Sequence, residues 1–570
     1  SESLPMATTK VSAPGKVLLA GGYVVLEAPQ PALVLCTGSR FYSTVAWAPS
    51  DNESAVMVTA TSAQLNAEWR YALHAAAAAA TDEDEATSPY AVEPLGESRN
   101  PFVENALRVV AAVAAREIAI AAAAARGRGR SALSITLVAD NDFYSQVATL
   151  RAAGLALDRA ADLPPHGVLT PPARAEKEEE AEVDVHRASL PKTGLGSSAA
   201  LTASLVGALL QHVGAVDLAR CCRNGVAIAA DSADLRLCHN AAQLAHLAAQ
   251  GKVGSGFDIA AACWGSMRYV RFPVAAVADV LTAMVRRIGG ADDTAGMTRW
   301  AAPPCVAEAA RRDWWRSSSG GGGGGAAAAF ALPPPLVLLL GDVEGGSSTP
   351  SMVRSVLKWL DAAPPVHESA AEPPPRVLWA ELVASNAQVE RSLASLRALT
   401  LCSGSGSGDA ADAKAMALSA MLIDMSAEAC SSEWSAVAAR TAADETLAVK
   451  EEGASRTLTL AVRFLLDARA ALQRSRSLLR RMGERADVPI EPPAQRELCD
   501  YTETLPGVVG AGVPGAGGFD AIFAIVVGDG AAAAVRTAWA ARGVSALAAA
   551  DERTLRSGMQ LEAFKEGLGK

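Results

Sequence analysis

An excess of basic residues is the first thing this sequence lacks. Its 570 residues carry 51 Lys and Arg against 61 Asp and Glu, a net charge of −10. That balance disfavours a nucleic-acid-coating protein. It leaves room for an anionic small substrate, because local fields decide that kind of binding. Cysteine is scarce as well. The nine cysteines are odd in number and none forms C-x-x-C, so neither a disulfide framework nor a structural zinc is expected, and a reducing compartment is. No apolar run reaches the roughly 18 residues of a membrane span. Residues 111–125 contain Arg116 and Glu117, and residues 326–340 are broken by Pro333, Pro334 and Pro335. No membrane partner is expected. Residues 1–10 are polar, without the apolar core of a secretory signal. Residues 567–570 match no simple peroxisomal or retention address. A cytoplasmic protein is the expectation, with a peroxisome-like organelle left open. What is present is apolar: half the residues are hydrophobic and 20% are charged, a globular composition long enough for two to four domains.

Four stretches read as surface inserts rather than core. Residues 75–80 are an alanine run leading into Thr81 and the acidic residues 82–85, and residues 176–184 are strongly acidic. Residues 317–325 are three serines and six glycines, and residues 403–408 alternate Ser and Gly. Gly/Ser tracts behave as flexible linkers, and blocks of like charge stay solvated. Between them, residues 17–20 and 23–26 predict two strands meeting at the Gly21-Gly22 turn. Residues 131–139, 336–340 and 521–527 predict strands. Leu201, Leu205, Leu209 and Val213 recur at helical spacing over residues 199–213, and residues 352–360 predict a second amphipathic helix. The mixture is α+β in two lobes. The division expected is 1–330 and 331–570, near the glycine tract.

Four glycine-containing motifs carry the chemistry. In Pro191-Lys192-Thr193-Gly194-Leu195-Gly196-Ser197-Ser198-Ala199-Ala200 a glycine turn opens into a helix. Glycine permits close backbone approach, and the first helical turn offers unpaired N–H groups at its positive end. That is an anion site, most naturally for phosphates. Ser197 and Ser198 can cap the helix or give oxygen to Mg²⁺. An ordinary Gly/Ser helix cap would look the same, and no Walker loop occurs. In Ser12-Ala13-Pro14-Gly15-Lys16-Val17-Leu18 a lysine follows a Pro-Gly turn at the mouth of a strand. It is either a fixed charge in a cleft or a solvated surface lysine. Gly510, Gly512 and Gly515 match G-x-G-x-x-G, but a β-rich run follows where a dinucleotide site needs a helix. A glycine loop lying against a ligand or another loop is expected there instead. In Gly254-Ser255-Gly256-Phe257-Asp258 a tight turn aims a carboxylate into a cleft or caps the next helix. His239, Gln243 and His246 share a helical face that reads as packed rather than metal-binding.

Taken in order, residues 13–23, 194–199 and 512–520 resemble the three motifs of the GHMP kinases. Gly21-Gly22-Tyr23 narrows the resemblance to the fungal and plant phosphomevalonate kinases. So do Asn100-Pro101-Phe102, residues 140–146, residues 250–258, and Gly341-Asp342-Val343 through Pro350. The resemblance implies a ribosomal protein S5 domain 2-like N-terminal lobe and a ferredoxin-like C-terminal lobe. It implies ATP and Mg²⁺ as cofactors and 5-phosphomevalonate as the small-molecule partner, with the chain a monomer or weak homodimer. On these positions Lys16 and Asp258 are the expected catalytic residues. Lys192, Gly194, Leu195, Gly196, Ser197, Ser198 and Ala199 are expected at the ATP phosphates, with Ser198 holding the metal. Tyr23, Ser255, Ser347, Ser348, Gly515, Ala516 and Gly517, together with Lys16 and Lys192, are expected around the acceptor, and Arg354 and Lys358 are weaker candidates for its phosphate. One departure stands out. Mevalonate kinases place a metal-binding glutamate before this aspartate, whereas residues 240–256 contain no Asp or Glu. Another small-molecule kinase of the family, such as a mevalonate kinase, and a catalytically silent metabolite sensor are the competing readings.

Overall fold

The computed structural model describes residues 8–52, 54–75, 90–168, 191–223, 226–227, 232–286, 300–314, 327–343, 349–362, 373–401, 409–427, 434, 436, 453–547 and 558–563. Ser347, Ser348 and the four expected inserts, apart from Ala75, lie outside the described residues.

Two sheets organise the chain. The larger runs, edge to edge, through Trp300–Ala301, Tyr90–Leu95, Ala67–Ala75, Ala55–Ser62, Ala132–Ala139, Pro31–Ala48, Thr8–Ala20 and Gln560–Leu561, with Met267–Val270 pairing beside Pro31 and Ala327–Ala329 beyond it. All these pairings are antiparallel except Ala55–Ser62 with Ala132–Ala139. The helices Pro101–Val113, Ser197–His212, Ala233–Gln250 and Phe257–Trp264 pack into one layer, which meets the strands Thr8–Ala20 and Pro31–Ala48. Ser197–His212 is apolar on nearly every side and almost wholly buried, as a central helix must be. Its polar side chains facing the sheet are satisfied: Ser204 Oγ lies 2.8 Å from Ser43 Oγ, and His212 Nδ1 lies 3.0 Å from Thr9 Oγ1.

The smaller sheet runs Val508–Gly512, Ala521–Val527, Leu336–Asp342 and Ser545–Ala546, all antiparallel. Every residue of Ala521–Val527 is buried, which explains its unbroken apolar sequence. The long helices Pro375–Thr400 and Gly453–Ala486 pack on each other. A buried trio locks them, with Ser475 Oγ donating to Ser385 Oγ at 2.9 Å and to Asn386 Oδ1 at 3.1 Å. The last described strand returns to the first: Gln560 and Leu561 pair with Ser12 and Val11.

The expected strands and helices recur as Ala132–Ala139, Leu336–Asp342, Ala521–Val527, Ser197–His212 and Thr349–Asp361. Two local expectations fail. Pro14-Gly15 is no turn. It is an irregularity inside one strand, where the register shifts between Pro14 and Lys16. Such a bulge re-aims the next side chain. A Cβ on Gly15 would lie 2.6 Å from Thr37 Oγ1 and 3.2 Å from the Leu195 carbonyl, so only glycine allows the approach. Residues 23–26 form no strand either. Tyr23 sits at φ 63° and Val24–Leu26 is a single 3₁₀ turn, with Val24 and Val25 buried by packing rather than by a ladder.

Candidate active site

The three motifs converge in space. The Lys16 amide donates to the Leu195 carbonyl at 2.9 Å, and its Nζ donates to the Gly194 carbonyl at 2.8 Å. The bulged strand is thus tied to the glycine turn by main chain and side chain together. Nζ also stands 5.7 Å from the centre of the Phe257 ring, and Asp258 follows on the same helical turn. Burial pushes the Lys16 pKa below its ordinary value, and the fields of Asp258 and Asp520 oppose that shift. One half-buried ammonium therefore faces two carboxylates drawn from distant parts of the chain.

The turn itself is built by positive φ at Gly194 (74°) and Gly196 (80°). Gly196 is the N-cap of Ser197–His212 and no side chain caps that end. The expected serine cap is corrected here. The left-handed glycine occupies the capping position, so Ser197 and Ser198 are the first helical residues and the leading amides stay available. Ser197 is buried and bonds to Tyr144. Ser198 is half-buried, 3.2 Å from His246 Nε2. Thr193 Oγ1 donates to the Asp142 carbonyl at 2.5 Å, and the Ser145 amide to Pro191. The entry to the loop is thereby fixed on residues 142–145, and Ser145 Oγ continues to Asp342 of the smaller sheet at 2.6 Å. Lys192 is exposed at this entry, in a bridge with Tyr144.

On the opposite wall, Tyr23 Oη donates to the Ala516 carbonyl at 2.7 Å. The Gly515 amide donates to Leu18 at 3.3 Å, and a Cβ on Gly22 would sit 2.6 Å from the Gly515 carbonyl. Gly510 and Gly512 lie within a strand and the loop leads to another strand, so the dinucleotide reading is excluded by topology as the sequence argued. Gly256, at φ 83°, is the N-cap before Asp258. Asp258 does not cap the helix. Its Oδ1 accepts from the next amide, Ile259, at 3.0 Å.

Several residues of this cleft escaped the sequence reading. Asp520 closes the third motif but carried no assigned role. Tyr269 and Arg271, from the strand Met267–Val270 and just beyond it, brace the Asp258 turn: Tyr269 Oη donates to Ser255 at 2.7 Å, and Arg271 to Gly254 and Leu26, each at 2.8 Å. Lys252 sits in the fields of both Arg354 and Asp258. Burial, first, and Arg354 lower its pKa, while Asp258 raises it. His239 and His246 are buried, the packed face that was expected. His239 stacks on Trp264 at 4.0 Å. His246 does more, since its Nε2 lies 3.2 Å from Ser198 Oγ at the start of the helix Ser197–His212. Only its i, i+7 spacing from His239 marked it in the sequence.

Comparison with known proteins gives three findings. Residues 468–545 match the family profile described as GHMP kinases C terminal. The chain is 35% identical over 562 residues to the peroxisomal phosphomevalonate kinase of Arabidopsis thaliana, covering 94% of this chain and 93% of that one. It is 29% identical over 553 residues to phosphomevalonate kinase erg8 of Aspergillus fumigatus, covering 92% and 88%. Among solved structures, a Lin0012 protein from Listeria innocua shares the fold at 14% identity, with a TM-score of 0.50 over 98% of this chain and all of that one.

Proposed function

From the premise that the chain belongs to the phosphomevalonate kinases, a branch of the two-lobed α+β GHMP kinase family, we propose how its own residues divide the work. The reaction moves the γ-phosphoryl group of ATP onto the phosphate of 5-phosphomevalonate. An acceptor phosphate oxygen bonds to the γ-phosphorus, the bond to the β,γ-bridging oxygen breaks, and ADP leaves with 5-diphosphomevalonate as product. Such transfers need positioning and charge stabilisation rather than covalent help from the protein.

The observation that carries the reading is the double tie of Lys16 to the turn at residues 194–195. It sets an ammonium beside the leading amides of residues 196–198, so both meet the same nucleotide oxygens, while the Ala199 amide already donates to the Gly196 carbonyl at 3.1 Å. Lys192 stands at the mouth of that loop. Lys16 stabilises charge on the group in flight. Tyr23, Ser255 and the loop residues Gly515, Ala516 and Gly517 form the acceptor side. Lys192, Lys252 and Arg354 are the cations for the acceptor's own phosphate, and Lys252 with Arg354 flanks the Asp258 side of the cleft.

The oxygen chemistry of the site suits Mg²⁺, a hard ion that keeps several waters. Ser198 at the helix start would hold it. Among the described residues no group of three or more His, Cys, Asp or Glu forms a cage, so nucleotide oxygens and water complete the set. When bound, Mg²⁺ offsets the charge of the nucleotide phosphates.

Asp258 orients the acceptor or pairs with Lys16 and has little proton to remove. A phosphate monoester has a second pKa near 6 and is already largely dianionic at neutral pH. Asp258→Asn is therefore expected to lower turnover by less than the roughly 10⁴-fold upper range of a general base; a larger loss speaks for base catalysis. The direct test of the function is ADP release by the purified chain, expected with 5-phosphomevalonate and absent with mevalonate. The opposite pattern returns the chain to the hydroxyl kinases, and silence with both favours a sensor. No helix among the described residues is long and apolar enough to cross a membrane. The compartment we infer is the cytoplasm or a peroxisome-like organelle, the latter in keeping with the name of the Arabidopsis relative.

A further inference from the structure

We propose that His246 is a positioning residue for the phosphate loop: its Nε2 accepts a hydrogen bond from the Ser198 hydroxyl and so leaves the serine oxygen's lone pairs directed toward the nucleotide's metal. The proposal rests on the reading of Ser198 as the protein oxygen for Mg²⁺.

The geometry fixes both partners. His246 lies in the last turns of Ala233–Gln250 and is 2% exposed. Its ring packs on Phe102 at 5.6 Å between centroids, which holds its plane. Nε2 stands 3.2 Å from Ser198 Oγ and 3.3 Å from the Gln250 amide nitrogen, as that amide is oriented in this structure. An amide nitrogen only donates, whereas a hydroxyl donates or accepts. The ring atom shared by the two is therefore an acceptor, and the serine is left with the donor's part.

That arrangement suits a metal-facing hydroxyl. A serine oxygen that gives electrons to a cation still needs a place for its proton, and the groups that accept from first ligands fix their direction and strengthen them. In this chain the residues 240–256 offer no carboxylate for the task. His246 supplies a neutral acceptor, carried by the helix packed beside the loop helix. Asp258 Oδ1 is engaged by the Ile259 amide at 3.0 Å, and it is the imidazole that lies within hydrogen-bond reach of Ser198 Oγ, at 3.2 Å.

The test is titration calorimetry of the full chain with adenylyl imidodiphosphate, with and without MgCl₂. The readout is the factor by which Mg²⁺ tightens nucleotide binding. His246→Leu is expected to cut that factor about 10-fold or more, the usual effect of losing such a support, with metal-free binding changed less than about twofold. His246→Gln, which keeps an acceptor oxygen, is expected to restore most of it. In a Ser198→Ala background, His246→Leu is expected to add nothing. If Ser198→Ala reduces the Mg²⁺ factor and His246→Leu leaves it at the wild-type value, the proposal is overturned while the serine's role stands. If Ser198→Ala leaves the factor unchanged, the metal reading of Ser198 fails and this proposal with it. Should His246→Leu not fold, ¹⁵N NMR of histidine in the unaltered chain decides: an unprotonated Nε2 at His246 supports the assignment, and a protonated one refutes it.

Discussion

Two glycine-rich bends are drawn near each other, and they use glycine for opposite reasons. At residues 194–196 the positive φ values shape a turn whose neighbours are side chains. A Cβ on Gly194 would meet the Asp520 Cβ at 3.9 Å, and the nearest atoms to one on Gly196 belong to the Lys16 side chain, at 3.1 Å. At residues 515–518 the constraint is internal. The Gly518 amide donates to the Ile490 carbonyl at 2.9 Å, and a Cβ on Gly517 would overlap that same carbonyl. The first bend is neighboured by side chains, and the second is filled by the protein's own backbone. Composition alone does not separate these cases. What separates them is whether a missing side chain leaves room for something else or for a neighbouring strand of main chain.

The largest effect is therefore expected from Gly517→Ala. It combines a φ of +78°, unfavourable to an L side chain by about 1–2 kcal/mol, with overlap against backbone that has no rotamer to relax. Overpacking adds about 1–3 kcal/mol. The variant is expected to lose roughly 3 kcal/mol of stability, read as an earlier urea midpoint by tryptophan fluorescence. An unchanged midpoint would mean that residues 515–518 are not held by Ile490.

Gly196→Ala sharpens the contrast. Its φ of +80° carries the same backbone penalty, but the new methyl meets the Lys16 side chain, which can swing away. The fold should tolerate that and the chemistry should not. Turnover is expected to fall about 100-fold, the scale of losing one preorganised donor, while the urea midpoint shifts less than for Gly517→Ala. Equal damage to stability in both variants breaks the distinction.

A pH profile separates the ammonium from the loop that holds it. Burial lowers the Lys16 pKa, with Asp258 and Asp520 opposing, so the cationic form is lost below the ordinary lysine range. The alkaline limb of kcat/KM, which reports the free enzyme, is expected to fall below pH 10.5, the ordinary lysine value. Stability moves the other way. The unfolded chain binds this proton more tightly, so the Lys16 contribution to stability improves as pH rises through the folded pKa toward the unfolded one. Activity loss in that window without earlier unfolding marks the charge; joint loss marks denaturation.

The same contrast explains what the sequence could disclose. Elements specified by local pattern were legible: the apolar run of Ala521–Val527 and the helical stripe of Ser197–His212 needed no partner to be read. The glycine loops were legible as positions where backbone comes close. Features set by distant partners were not. Pro14-Gly15 looks like a turn because nothing nearby reveals that Thr37 and Leu195 press on Gly15 within a strand. The strand Gln560–Leu561 pairs with Ser12 and Val11 almost a full chain length away. Asp520 and Lys252 acquire meaning only through the fields they share with Lys16 and Arg354. Lys192 drew attention by adjacency in sequence, while Lys252 met the cleft by adjacency in space.

The smallest expected effect belongs to Gly515→Ala, and it tests the comparison at its weakest point. Gly515 sits in the filled bend, yet nothing lies within 4 Å of its added Cβ. Its amide and carbonyl face Leu18 and Gly22, so the loop is anchored whatever side chain it carries. The methyl would project into open cleft. Stability is expected to drop only by the left-handed penalty of about 1–2 kcal/mol. The KM for 5-phosphomevalonate is expected to rise roughly fivefold, as one methyl group in a binding pocket can cause, with the KM for ATP unchanged. A rise confined to ATP would move the nucleotide to this wall, and would make the two bends alike in purpose after all.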